Sequence, residues 1–184
     1  MKNNIILILF AIILFAACDK EKSNLRKGND SYQEKDYVKA EEKYRESLVV
    51  DSNYLKAQYN LANASYKQLS QEKLHSAMNY YESYIKTNPN TDTLNNANAI
   101  YNRGNVSFQL FQTDTATDMS SKILFLERAL EDYKQTLRLN PTDSAAKYNL
   151  ALTQYLLNKN KNQQEQNQQQ EQNQQEQQQE KNQD

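Results

Sequence analysis

The sequence predicts an all-α chain built from a repeated helix–turn–helix unit of about 34 residues. Three observations predict it. The chain has two glycines and two prolines in 184 residues, too few turn residues for a sheet protein. Those four residues, Gly28, Gly104, Pro89 and Pro141, fall in register: each glycine precedes an Asn, and each proline follows an Asn at the end of an amphipathic run. Finally, Ala-x-x-x-Tyr recurs three times, as Ala40/Tyr44, Ala77/Tyr81 and Ala129/Tyr133. One such unit cannot bury its own apolar face, so three units and a capping helix form a minimal stack. An ordinary helical bundle with chance glycines is the competing reading.

The elements follow in chain order. Residues 1–17 begin with Met-Lys-Asn-Asn and carry a 13-residue apolar run, Ile5–Ala17. A basic start, a short apolar region and a small-residue exit describe an export signal. The run is shorter than the roughly 17–25 residues of a spanning helix. Leu14-Phe15-Ala16-Ala17-Cys18 resembles a bacterial lipoprotein box, which implies lipidation of Cys18, the only cysteine. The alternative is an uncleaved apolar anchor with an incidental Cys18. Residues 18–23 would form a lipid-anchored linker.

With Gly28 as position 8, unit one spans 21–54. Its first helix carries Leu25, Gly28 and Tyr32, and its second carries Tyr37, Ala40, Tyr44, Ser47, Leu48 and Val50. Unit two spans 55–91, with Ala62 at position 8 and three extra residues expected in its inter-helix turn, around Leu69–Lys73. Unit three, 97–143, follows a leader, Asp92–Asn96. Its first helix holds Tyr101, Gly104 and Phe108, and a polar stretch, Gln112–Ser121, is expected to lengthen its turn by 13 residues. Ile123, Leu126, Leu130, Tyr133 and Leu137 then make one clean helical face. A capping helix, 144–157, repeats the first-helix pattern through Tyr148-Asn149-Leu150-Ala151. Position 8 is small because the helices of a unit cross closely there, with the Ala of position 20 expected opposite. The aromatic at position 24 is expected to fill the space between one unit and the next. From Asn158 to Asp184 the chain is low-complexity, and 13 of the last 22 residues are Gln. With nothing apolar to bury, this tail is expected to be disordered, the last helix fraying outward because Gln and Glu tolerate helix.

Composition limits the chemistry. A net charge of −1 without a Lys/Arg stripe gives no footprint for nucleic acid. His75 is the only histidine, expected as a solvated residue of a loop-like stretch, so no metal site, catalytic set or cofactor is predicted. Asp and Glu are expected scattered on outer faces. An enzyme subunit using carboxylates stays open as a rival.

One polar pattern repeats. Position 6 is Asn60, Asn102 and, in the cap, Asn149; position 9 is Asn29, Asn63 and Asn105. These lie one turn apart on the first-helix face that lines the concave side of a stack. Asn offers an acceptor and two donors, suited to gripping peptide backbone without demanding a sequence. Tyr59, Tyr101 and Tyr148 at position 5, with Tyr32, Tyr66 and Phe108 at position 12, would supply flat apolar contacts. The competing reading is that some of the Asn residues satisfy groups within the stack.

The spacing of Gly28, Ala40, Tyr44 and their counterparts resembles the tetratricopeptide (TPR) repeat, which implies a protein- or peptide-binding scaffold. TPR domains that clamp a C-terminal carboxylate place cations where this chain has Leu25, Asn98 and Asn102, so no such clamp is expected. Arg26-Lys27-Gly28-Asn29, Tyr59-Asn60-Leu61-Ala62-Asn63, Tyr101-Asn102-Arg103-Gly104-Asn105 and Leu139-Asn140-Pro141-Thr142-Asp143, with the Gln-rich tail, resemble the TPR proteins of the Bat aerotolerance system. That resemblance implies a bacterial envelope scaffold, anchored by lipid and facing the periplasm, for membrane proteins with von Willebrand factor A-type domains. A structural envelope-assembly lipoprotein working through its convex face is the second reading.

Overall fold

The computed structural model describes residues 20–88, 93–115 and 118–181. Among them are seven helices and no strand: α1 (20–33), α2 (Tyr37–Val50), α3 (Leu55–Lys67), α4 (Gln71–Thr87), α5 (Thr93–Thr113), α6 (Met119–Leu139) and α7 (Ser144–Lys181). The signal-like run, Cys18, Pro89 and Asp92 lie outside the described residues. From α2 to α7 each helix packs on the next, and α3 also touches α5, the neighbour-only pattern of a solenoid.

Short polar side chains start the second helices and the cap. Asp36, Ser70, Asp118 and Asp143 accept from the backbone N–H three residues on, at Lys39, Lys73, Ser121 and Ala146. Each satisfies a donor that the first helical turn leaves unpaired. The turns of units one and two share a left-handed residue at one register position, Lys35 with φ 64° and Leu69 with φ 58°.

Three expectations about inserted residues change. The three extra residues of unit two lengthen α4, so that Ser70 caps it and His75 is an exposed helical residue beside the Phe125 ring. Most of the insertion in unit three is helical too, because α5 runs on to Thr113 and α6 starts at Met119. Met119, Ile123 and Leu126 continue the α6 spacing backwards, and Asp118 supplies a cap early. From Thr93 the leader belongs to α5. The last helix runs on into the low-complexity segment: α7 crosses Asn158 without a break and continues to Lys181. Gln, Glu and Lys are good helix formers once a packed segment has nucleated the helix. Lys161 pairs with Glu127 at 2.7 Å and Gln164 donates to Ser120 at 3.1 Å, so the start of the tail lies along α6.

The core sits between successive helix pairs. Leu61, Leu74, Leu110 and Leu126 are at most 2% exposed, each contributing about 1.5–3 kcal/mol of burial. A Cβ built on Gly28 would lie 2.5 Å from the Tyr44 ring, and one on Gly104 would lie 2.9 Å from the Tyr133 ring. The aromatic of position 24, rather than the alanine of position 20, therefore presses on position 8. It fills space inside its own unit as well as at the junction.

Of the carboxylates expected on outer faces, Glu21, Glu41, Asp114 and Asp132 are buried instead. Glu41 Oε1 accepts from Arg45 at 2.7 Å and Lys73 at 2.9 Å, and its Oε2 accepts from Gln68 at 2.5 Å. This ties α2 of unit one to both helices of unit two. Burial pushes the Glu41 pKa up, but hydrogen bonds from Arg45, Lys73 and Gln68 outweigh it and hold it below its ordinary value. Asp132 takes a two-pronged bond from Arg103, at 2.6 and 3.0 Å, joining α6 to α5.

Candidate functional site

The asparagines of positions 6 and 9 are brought together, and they bond to one another. Asn29 Oδ1 accepts from the Tyr44 hydroxyl at 2.9 Å and from Asn60 Nδ2 at 2.8 Å. Asn63 Oδ1 accepts from Tyr81 at 2.5 Å and Asn102 Nδ2 at 3.2 Å. Asn105 Oδ1 accepts from Tyr133 at 2.8 Å and Asn149 Nδ2 at 3.0 Å. Three identical rungs thus span the three junctions. In each, position 9 receives the position-24 phenol of its own unit and the position-6 amide of the next.

Position 5 adds a further bond. Asn102 and Asn149 also donate to the hydroxyls of Tyr59 at 3.0 Å and Tyr101 at 3.1 Å. Leu25 stands at that register in unit one, so the first rung lacks this bond. Tyr59 and Tyr101 in turn lean on the rings of Tyr81 and Tyr133.

Burial explains why the rungs exist. Tyr44, Tyr81 and Tyr133 are nearly inaccessible, at 1%, 0% and 1% exposure. A phenol with no partner there would cost about 1–3 kcal/mol. Burial raises all three pKa values, that of Tyr44 to about 12, so each phenol stays protonated and donates. The sequence placed these asparagines on one face. It did not show that each carbonyl is taken by a tyrosine fifteen or more residues away.

The rungs leave over the N–H₂ of each position-9 amide and the carbonyl of each position-6 amide. Asn29, Asn60 and Asn63 border two cavities. A cavity of about 260 Å³ is lined by Asn29, Tyr32, Gln33, Tyr44, Asn60 and Asn63. A larger one, about 590 Å³, shares Asn29 and Asn60 and adds Leu25, Leu55, Lys56, Tyr59, Tyr84, Asn88 and Asn95. Together they form a groove along α1, α3 and the start of α5, mixed in polarity.

Four of the predicted groove residues, Asn29, Tyr59, Asn60 and Asn63, line this groove. Tyr101, Asn102, Asn105 and Asn149 form the next two rungs along the same face. Of the position-12 aromatics, Tyr32 lines the groove, Tyr66 packs on the unit-two core, and Phe108 packs with Ile123, Leu126 and Leu157. Gln33, Lys56, Tyr84, Asn88 and Asn95 were not legible as lining, since three of them sit at helix ends whose position depends on neighbouring units. Among the described residues no group of His, Cys, Asp and Glu could hold a metal ion, and no helix is long and apolar enough to cross a membrane.

No protein-family model and no curated protein matches the chain. Solved structures do. The first TPR of Spaghetti (RPAP3), bound to the HSP90 peptide SRMEEVD, superposes with a TM-score of 0.61 at 22% identity, over 76% of this chain and 94% of that one. The Arabidopsis OM64 TPR domain gives 0.60 at 18% identity, over 74% and 96%. The N-terminal domain of stress-induced protein-1 (STI-1) from C. elegans gives 0.58 at 19%, over 76% and 98%. Likeness at these identities defines the fold: the chain is an all-α TPR solenoid.

Proposed function

We propose that this chain is a non-enzymatic interaction scaffold that holds an extended segment of a partner protein in the groove along α1, α3 and α5. The observation that carries the reading is the pair of cavities sharing Asn29 and Asn60, edged by amide groups that the rungs leave unused. Amides of both polarities, spaced by the repeat, match the alternating N–H and C=O of an extended backbone. Leu25, Leu55 and Tyr84 offer apolar surface for its side chains. Two of the similar solved TPR domains carry HSP90 or HSP70 peptides, which supports a peptide as the class of ligand.

The finer reading rests on the sequence. The signal-like run of residues 1–17, the lipoprotein-like box ending at Cys18 and the Bat-like segments support an envelope lipoprotein whose partners are membrane proteins with von Willebrand factor A-type domains. Photo-crosslinking in the producing cell tests both levels. A benzoylphenylalanine at Tyr59, in the groove, should capture a membrane-protein partner, and one at Val49, which is 86% exposed on α2, should not. Cys18→Ser should block lipid attachment and signal cleavage at that site, and mass spectrometry finding the native chain unmodified and still beginning before Cys18 would sink the lipoprotein reading. Capture from Val49 alone would move the function to the outer surface and favour the envelope-assembly reading.

A further inference from the structure

The two cavities of the groove share Asn29 and Asn60 but differ in chemistry. The smaller is walled by amides and phenols, Asn29, Gln33, Asn60 and Asn63 with Tyr32 and Tyr44. The larger has aliphatic and ring surface from Leu25, Leu55, Tyr59 and Tyr84, the last two with ring centroids 5.4 Å apart. Its volume of about 590 Å³ falls within the roughly 300–1,000 Å³ of sites that seat a ligand, and the smaller cavity falls below that range.

Two departures from the repeat meet at the larger cavity. At position 27, units one and three carry small hydroxyl residues, Ser47 and Thr136, both fully buried. Each donates to the position-1 carbonyl of its own unit, Ser47 to Glu21 at 2.7 Å and Thr136 to Ala97 at 3.5 Å. Unit two carries Tyr84 there instead, and its ring lies against Tyr59. At position 5, Tyr59 and Tyr101 accept from an Asn of the next unit, whereas unit one carries Leu25. Both departing residues line the same cavity. Breaks in an otherwise consistent pattern concentrate at sites kept for function.

Charge narrows the occupant. Among the described residues lining the two cavities, Lys56 alone carries a charge, and no carboxylate pairs with it. It is exposed, next to Leu55 on α3. A cation beside an apolar wall favours a segment with a negative side chain close to its apolar one, and disfavours a positive one. A single ammonium is a point charge without the converging donors that fix a chain end, so the matching carboxylate is that of an Asp or Glu inside the segment.

We infer that the larger cavity is the specificity subsite of the groove. It seats one large apolar side chain of the partner segment, with an Asp or Glu within about two residues of it meeting Lys56. The inference rests on the groove as the binding site and adds which segments the groove accepts. Leu25, Leu55 and Tyr84 give the pocket its apolar wall, and Lys56 sets the charge preference at its edge.

The test selects peptides on the full chain from a random dodecapeptide library, fused at its carboxyl end to a phage coat protein so that no peptide has a free C-terminus. Selected sequences should pair a large apolar residue with a nearby Asp or Glu. In amidated synthetic copies, replacing the apolar residue by Ala should weaken binding by about tenfold or more. Replacing the acid by Lys should weaken it too. Lys56→Glu, at an exposed position, should reverse that charge preference at an unchanged melting temperature. Benzoylphenylalanine at Gln33, in the smaller cavity, reports the groove without touching the subsite. Peptides that crosslink there but lack the apolar–acidic pair, or bind equally after both replacements, would overturn the subsite and leave the groove reading standing. A library yielding no enriched sequence would also overturn the subsite. Peptides that crosslink from Val49 and not from Gln33 would overturn the groove reading itself.

Discussion

At the scale of single residues, the stack depends on where a side chain is missing and where an amide carbonyl is present. Gly28 has less room than Gly104, 2.5 Å against 2.9 Å to the facing ring. Gly28→Ala should therefore destabilise by about 1–3 kcal/mol, because the buried Tyr44 ring, held through its hydroxyl, has little freedom to move. Gly104→Ala should cost less, since the gain in helix propensity of about 1 kcal/mol offsets part of the crowding. Chemical denaturation of both variants checks the order, and a more stable Gly28→Ala protein would refute the close crossing. Asn63 makes a parallel case. Asn63→Ala strands the buried Tyr81 phenol and should cost about 1–3 kcal/mol. Asn60→Ala should cost less, because Asn29 keeps its bond from Tyr44. A double change at Asn63 and Asn102 therefore lowers the melting temperature, and cannot serve as a pure binding test.

At the scale of elements, the buried ionic group around Glu41 joins unit one to unit two and makes that junction sensitive to acid. Its folded pKa lies below the unfolded value. The stability it contributes is therefore present above the ordinary carboxylate range and is lost as pH falls through the lowered folded value. Glu41→Gln should be less stable than the wild type at neutral pH and lose less stability on acidification below about 4.5. Thermal melts from pH 7 downward check this, and parallel acid limbs would contradict it. Helix identity and order were legible in the sequence because Gly28, Ala62 and Gly104 recur against Tyr44, Tyr81 and Tyr133. Where inserted residues go was not. Polar residues such as Gln112 and Ser121 suit a loop or an exposed helical turn equally well, and the capping Asp118 and neighbouring packing settled the matter. The same ambiguity applied to the tail, where composition withholds a core but permits helix. Glu41 and Asp132 were not legible as buried, because Lys73 and Arg103, which pair with them, come from other helices.

At the scale of the whole molecule, the asparagine rungs have two faces, and this separates what holds the solenoid from what a partner can use. Their inner carbonyls satisfy the buried phenols of each junction, while the remaining amide groups edge the groove. The face that the sequence marked as a binding ladder is in the structure first a joint between units, and the groove is bounded also by exposed residues that no rung engages. Gln33 and Lys56 are two of these: each lines one cavity, is exposed, and is part of no rung. Tryptophan at both would fill the groove without touching the stack. The most direct measurement is the affinity of the full chain for the partner segment captured from Tyr59, by calorimetric titration of the wild type and of Gln33→Trp/Lys56→Trp. Binding should weaken by about tenfold or more at an unchanged melting temperature, while Glu42→Ala and Lys134→Ala on outer faces bind normally. Undiminished binding by the groove-filled protein, with loss in the outer-face variants, would contradict the groove as the site.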